Sequence, residues 1–168
     1  MSMKRYLSIG LLGLFLAITG CGTGGGSRSF QSTLRLMDQS GNEKVLFSTT
    51  EPVVLELSIT NITNAPQTLT AASPQIYEFI VARVGDTQPA WHWSFNQIFP
   101  GVNTELSFAA GETKTYQETW DHISDAGSAV SAGNYVAQGY LWTMQEAAVD
   151  AVTSETETRS AAVSLSIQ

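Results

Sequence analysis

Ala90-Trp91-His92-Trp93-Ser94-Phe95 puts two tryptophans and a phenylalanine on alternate positions in the middle of a β-rich sequence. In a strand, successive side chains point to opposite faces, so the spacing predicts Trp91, Trp93 and Phe95 on one face and His92 and Ser94 on the other. An aromatic ridge of this kind needs a second layer to cover it, since each ring buries roughly 150–250 Å². The primary expectation is therefore a core strand of a two-layer β domain. The other reading, a solvent-facing aromatic platform for a ligand such as a carbohydrate, would require the same rings to stay exposed.

Outward from this strand, runs of alternating residues recur about every ten positions, separated by turn residues. Strands are expected at residues 30–37, 52–62, 66–69, 76–84, 104–108, 113–120, 133–142 and 161–167. The clearest is the second, where Val53, Leu55, Leu57 and Ile59 alternate with Val54, Glu56, Ser58 and Thr60, one face buried and the other wet. Tyr77, Phe79 and Val81 are placed on one face of their strand, with Ile76, Glu78 and Ile80 on the other. Residues 113–120 read as an edge or half-exposed strand with Tyr116 and Trp120 as its buried members. Turns are expected at residues 39–42, 85–86 and 109–112, each containing glycine. Asn61-Ile62-Thr63 has the form of a glycosylation sequon, but the Asn61 side chain is better used to hydrogen-bond the backbone where its strand ends. The Gly133-Asn134-Tyr135 entry resembles a tyrosine corner, in which the hydroxyl ties a crossover back to the main chain. Seven to nine strands with no long helix and no repeat predict an all-β fold of two packed antiparallel sheets. A closed barrel is the alternative.

The first residues read as an address. Lys4 and Arg5 precede an apolar run over residues 6–19 with Leu at positions 7, 11, 12, 14 and 16. Fourteen residues fall short of the ~20 that span a bilayer as a helix, which fits the core of an export signal. Leu16-Ala17-Ile18-Thr19-Gly20-Cys21 resembles the bacterial lipobox, so Cys21 is the expected lipid attachment site. The division predicted is residues 1–20 as a lipoprotein signal peptide, 21–29 as the lipidated cysteine with a Gly-rich tether, and 30–168 as the β-sandwich domain. The expected location is exported and lipid-anchored, on the outer membrane where the cell has one.

Cys21 is the single cysteine, and its lipidation leaves no thiol for disulfides, metal ligation or nucleophilic catalysis. Loss of residues 1–20 removes Lys4 and Arg5 and no acid, taking the formal net charge from −7 to −9. So acidic a domain repels phosphate backbones, which argues against nucleic acid as a partner.

No reaction is legible. The two histidines, His92 and His122, lie in no recognised catalytic frame, and there is no Gly-x-Ser-x-Gly elbow. Asp121, His122 and Asp125 match neither a calcium loop nor a zinc pair and read as a solvated loop. No metal and no catalytic residue is expected, and the chain is not expected to be an enzyme. Two connections are long, residues 121–132 and 143–158. The second is acidic, and its Gln145, Glu146, Asp150, Glu155 and Glu157 are the candidate interaction residues. It contains no proline, and residues 145–152 favour helix.

In order along the chain, Leu55-Glu56-Leu57-Ser58-Ile59-Thr60-Asn61, Tyr77-x-Phe79, Trp91-His92-Trp93-Ser94 with Phe99, Ala110-Gly111-Glu112 leading to Tyr116 and Trp120, and Ala132-Gly133-Asn134-Tyr135-Val136-Ala137 resemble the BsuPI domain, the intracellular proteinase inhibitor family of bacilli. The resemblance covers residues 30–141. It implies an immunoglobulin-like β-sandwich, no cofactor, and a relative that inhibits a subtilisin-type serine protease. Export departs from the family's cytoplasmic setting, so the partner expected is a protein of the cell envelope, with a subtilisin-type protease as one class. The alternative is a structural or interaction lipoprotein without inhibitory activity.

Overall fold

The structure is a computed structural model that describes residues 28–143 and 156–168. Cys21, residues 22–27 of the tether, and Gln145, Glu146, Asp150 and Glu155 lie outside the described residues.

Ten strands form among those residues: β1 (Phe30–Met37), β2 (Leu46–Phe47), β3 (Val53–Asn61), β4 (Gln67–Ala71), β5 (Tyr77–Arg83), β6 (Trp91–His92), β7 (Thr104–Phe108), β8 (Thr113–Trp120), β9 (Gly133–Leu141) and β10 (Val163–Ile167). One sheet has the order β1-β3-β8 and is antiparallel throughout. The second runs β2-β10-β9-β5-β6, and β4 pairs with β7 as a separate ribbon. The strand not foreseen is β2. It has two residues and lies parallel to β10, too short to show any alternation and the one departure from an antiparallel arrangement.

β3 sits at the centre of the first sheet, paired with β1 on one side and β8 on the other. Val53, Leu55, Leu57 and Ile59 are fully buried, while Glu56, Ser58 and Thr60 stay half-exposed. The register aligns Leu34 with Leu57 and Leu57 with Tyr116, so one face of the sheet is continuously apolar. The facing sheet contributes Phe79, Val81, Tyr135, Ala137, Leu141, Leu165 and Ile167 to the same core. Gly139 on β9 lies beside Phe79 of its own sheet and against Leu57 of the facing one. A Cβ built there would meet the Phe79 ring at 3.1 Å and the Leu57 Cβ at 3.3 Å, so a methyl fits only if these neighbours give by a few tenths of an ångström. The β4–β7 ribbon closes one end, with Phe108 packed edge-on against Phe30 at a centroid distance of 5.1 Å.

Turn chemistry follows the sequence. The Asp38 carboxylate accepts the backbone N–H groups of Ser40 and Asn42, and Gly41 takes the positive φ of 83° that this turn needs. Asn61 is buried at the end of β3. Its amide donates to the carbonyls of Ala65 (2.8 Å) and Ala109 (2.9 Å), and its oxygen accepts the Thr63 N–H. The Tyr135 hydroxyl donates to the Ser131 carbonyl at 2.6 Å, the tyrosine corner that the sequence pointed to. The fold is an all-β, immunoglobulin-like sandwich. It is open rather than a barrel, since β6 and β8 are edge strands that share no ladder.

Candidate functional site

The tryptophan stretch is not the central core strand its alternation predicted. Only Trp91 and His92 are strand, opposite Val81 and Ile80. The ladder continues through Trp93, whose N–H donates to the Phe79 carbonyl at 2.9 Å. The chain then turns, with Gln97 N–H donating to the Ser94 carbonyl and Asn96 at a φ of 64°, a left-handed conformation asparagine tolerates better than most residues. Trp91 and Trp93 are half-buried and pack on the core, whereas Phe95 is 48% exposed. One face of the predicted ridge is thus split between core and solvent.

The cause of the turn is Glu78. This carboxylate, with the residue 2% exposed, accepts the N–H groups of Phe79 (3.0 Å) and Ser94 (3.2 Å) on one oxygen. On the other it accepts the Gln75 amide (3.0 Å) and the Ser94 hydroxyl. Burial pushes the Glu78 carboxyl above its ordinary range, and the hydrogen bonds from Ser94 and Phe79 work against that shift. A buried charge of this kind is costly unless its oxygens are satisfied. Satisfying it pulls the 94–97 turn onto β5.

Around this clamp, aromatic rings close the open edge of the sandwich between β6 and β8. Trp93 stacks on Tyr77 at a centroid distance of 4.4 Å, and Tyr77 lies 4.8 Å from Tyr116. Trp91 lies 6.3 Å from Trp120, which also meets Tyr135 across the core at 5.7 Å. The Tyr77 hydroxyl donates to Glu118 at 2.5 Å. Burial, then the Glu118 carboxylate, holds that phenol well above its usual range. Burial pushes the Tyr116 phenol up to about 12.

Most of the 121–132 connection, Asp121 included, is solvent-exposed as expected, but His122 and Asp125 are not solvated loop residues. His122 is 3% exposed with its Nδ1 3.2 Å from the Thr49 carbonyl. Asp125 Oδ2 is 2.6 Å from His92 Nδ1, and Asp125 Oδ1 accepts the His92 N–H at 3.0 Å. These contacts stitch the loop to β6. His92 thus faces Asp125 while the Ser94 hydroxyl donates a hydrogen bond to Glu78, and the two do not combine as nucleophile and base. Among the described residues no three acidic, histidine or cysteine side chains converge on a common point.

From the clamped turn the chain runs through residues 97–103 without strand or helix. Phe99 folds back to 6.0 Å from Trp93, and the Gln97 amide donates to the Trp93 carbonyl at 2.8 Å. Ile98 points away, 95% exposed, with Val102 at 60%. Of the five interaction candidates in the acidic connection, the structure describes only Glu157. Its carboxylate accepts the Ser29 N–H at 2.8 Å and its carbonyl accepts the Ser32 hydroxyl at 2.8 Å. Together with the Leu141 N–H donating to the Thr158 carbonyl at 3.0 Å, this fixes the C-terminal flank of residues 144–155 beside β1 and β9. Glu157 therefore serves a structural contact. Sequence reading missed Glu78 and the exposed Ile98. The signal for Glu78 was an acid between Ile76 and Ile80 on one strand face; for Ile98 it was an uncharged run, residues 93–103, in an acidic chain.

None of the curated proteins matches the chain in sequence. Among solved structures, an alkylpurine DNA glycosylase of Pseudomonas fluorescens, AlkC, aligns with a TM-score of 0.45 and 14% identity, covering 86% of this chain and 32% of the glycosylase. A CARDB domain of Pyrococcus furiosus, solved with two metal ions, gives 0.39 and 12%, covering 85% of this chain and 97% of that domain. A β-glucosidase of Listeria innocua gives 0.42 and 11%, covering 82% of this chain and 16% of the enzyme. The chain thus spans about a third of the glycosylase and about a sixth of the glucosidase. The family model of BsuPI, intracellular proteinase inhibitor, matches residues 41–146, from the first turn through β9 and including the Glu78 clamp and the tryptophan turn; the chain belongs to the BsuPI family.

Proposed function

We propose that this protein is an exported lipoprotein, anchored through Cys21, whose BsuPI sandwich binds and restrains a subtilisin-type serine protease of the cell envelope. The observation that carries the reading is membership of a proteinase-inhibitor family across residues 41–146. Export and anchoring rest on the basic start, the fourteen-residue apolar run and the Leu16–Cys21 motif. A diacylated cysteine bearing a third chain binds stably at ~0.8 kcal/mol per buried CH₂. An inhibitor needs a segment held in one conformation before binding, so that little conformational entropy is lost in the complex, and a β-sandwich with short, hydrogen-bonded turns is a suitable scaffold.

The test is titration of subtilisin activity with the detergent-solubilised, full-length protein. Saturable inhibition, with the protein recovered uncut, is the expected result. Rapid cleavage without inhibition would remove the inhibitor reading and leave a non-inhibitory interaction module.

A further inference from the structure

We propose that Gln97-Ile98-Phe99-Pro100-Gly101 is the segment the domain inserts into the substrate cleft of its partner proteinase, with Ile98 filling an apolar side-chain pocket. This rests on the inhibitor reading above and assigns its contact site.

Three observations converge on the segment. The first is exposure where burial would be expected. Ile98 is 95% exposed, the most exposed large apolar side chain among the described residues, with Phe95 and Val102 nearby at 48% and 60%. Three large apolar side chains exposed within residues 95–102 concentrate apolar surface on one connection, as a contact site does. The second is that the segment is built on a fixed base. The buried Glu78 carboxylate grips Ser94 by both its N–H and its hydroxyl. The Phe99 ring packs on Trp93, which is itself stacked on Tyr77. Phe99 turned in and Ile98 turned out is the alternation of an extended chain over these residues, and the Val102 N–H donating to the Pro100 carbonyl at 2.8 Å then turns the chain at Gly101. The third is backbone restriction. Pro100 fixes its own φ and pushes Phe99 into the extended region. An extended strand is the shape a protease cleft receives by main-chain pairing, with alternate side chains entering pockets.

The occupant follows from the same chemistry. Residues 93–103 carry no charge in a chain of net charge −7, so the segment offers an apolar side chain and main-chain groups, and not an ionic patch. The acidic connection at 143–158 lacks proline, and its described acid, Glu157, is already engaged with Ser29.

Inhibition of subtilisin is measured with the full-length, detergent-solubilised protein, with Ile98→Asp, with Ile98→Leu, and with a variant whose residues 144–155 are shortened to a Gly-Asn turn. Because Ile98 touches little else, its variants keep the wild-type circular dichroism and tryptophan emission. Ile98→Asp is expected to weaken inhibition about tenfold or more, the scale of a lost anchor residue, while Ile98→Leu retains it. Full inhibition by Ile98→Asp would overturn the assignment and leave the inhibitor reading standing. Inhibition kept by Ile98→Asp but lost on shortening 144–155 would move the contact to that connection. Absence of inhibition by the wild type would remove the reading itself.

Discussion

The buried carboxylate of Glu78 on β5 accepts hydrogen bonds from the backbone N–H of Ser94 at 3.2 Å and from its hydroxyl, across a sequence separation of sixteen residues. That contact lies where the tryptophan strand gives way to the 94–97 turn. It also gives the domain a pH-sensitive element. Because burial raises the Glu78 carboxyl above its ordinary 4.5, the folded state binds this proton more tightly than the unfolded chain does. Its contribution to stability is therefore full below 4.5 and is lost as pH rises through the raised value. Glu78→Gln cannot titrate. It keeps the shape, and both the Ser94 hydroxyl and the Gln75 amide are able to switch from donating to accepting. Thermal melts of the two proteins between about pH 4 and pH 7 should show the variant gaining on wild type as pH increases. A gap independent of pH would refute the assignment.

Tyr116 offers a test of the aromatic edge. Its hydroxyl oxygen is buried with no hydrogen-bond partner among the described residues, and an unpaired polar group in that position costs about 1–3 kcal/mol. Tyr116→Phe should therefore be neutral or stabilise the domain by about 1 kcal/mol, read from chemical denaturation. Marked destabilisation would mean that the hydroxyl is bonded in solution.

The opposite sign is expected at Tyr135. Its ring is buried against Trp120 and its hydroxyl donates to Ser131 at 2.6 Å, so Tyr135→Phe removes a bond while leaving the packing. The loss should be about 1 kcal/mol by the same measurement, and an unchanged midpoint would show that the corner contributes nothing.

Gly139 sets two effects against each other. Replacing glycine by alanine in a strand favours folding by about 0.4–1 kcal/mol through the unfolded chain. The new methyl, however, lies 3.1 Å from the Phe79 ring and 3.3 Å from Leu57 Cβ, and overpacking costs about 1–3 kcal/mol. The clash should win, with Gly139→Ala lowering the denaturation midpoint. A raised midpoint would mean that the sheets separate at little cost.

The proposed anchor is tested at Cys21. Cys21→Ser should abolish incorporation of labelled palmitate and leave an unprocessed chain of higher mass. A mutant with wild-type mature mass that still partitions into detergent would exclude lipidation at this residue.

Most of the fold was legible because it depends on local pattern. The alternation of Val53, Leu55, Leu57 and Ile59 sets the buried face of β3, Gly41 and Gly111 mark turns with φ of 83° and 72°, and the spacing of Gly133 and Tyr135 marks the corner. Each is a property of a few neighbouring residues, so the sequence alone determined the longer strands, the all-β class and the family, but not the two-residue β2. What tertiary structure decided are the pairings between distant residues. Trp91, Trp93 and Phe95 alternate as a strand should, but Glu78 draws Ser94 out of the ladder, leaving Phe95 in solvent. His122 and Asp125 read as loop residues, but Thr49 and His92 lie opposite them. The exposure of Ile98 follows from Phe99 folding back on Trp93. Periodicity reports which face a side chain takes within its own element. Which groups meet across elements depends on how the two sheets close, and that is where a buried carboxylate finds its donors and an exposed isoleucine is left without a neighbour.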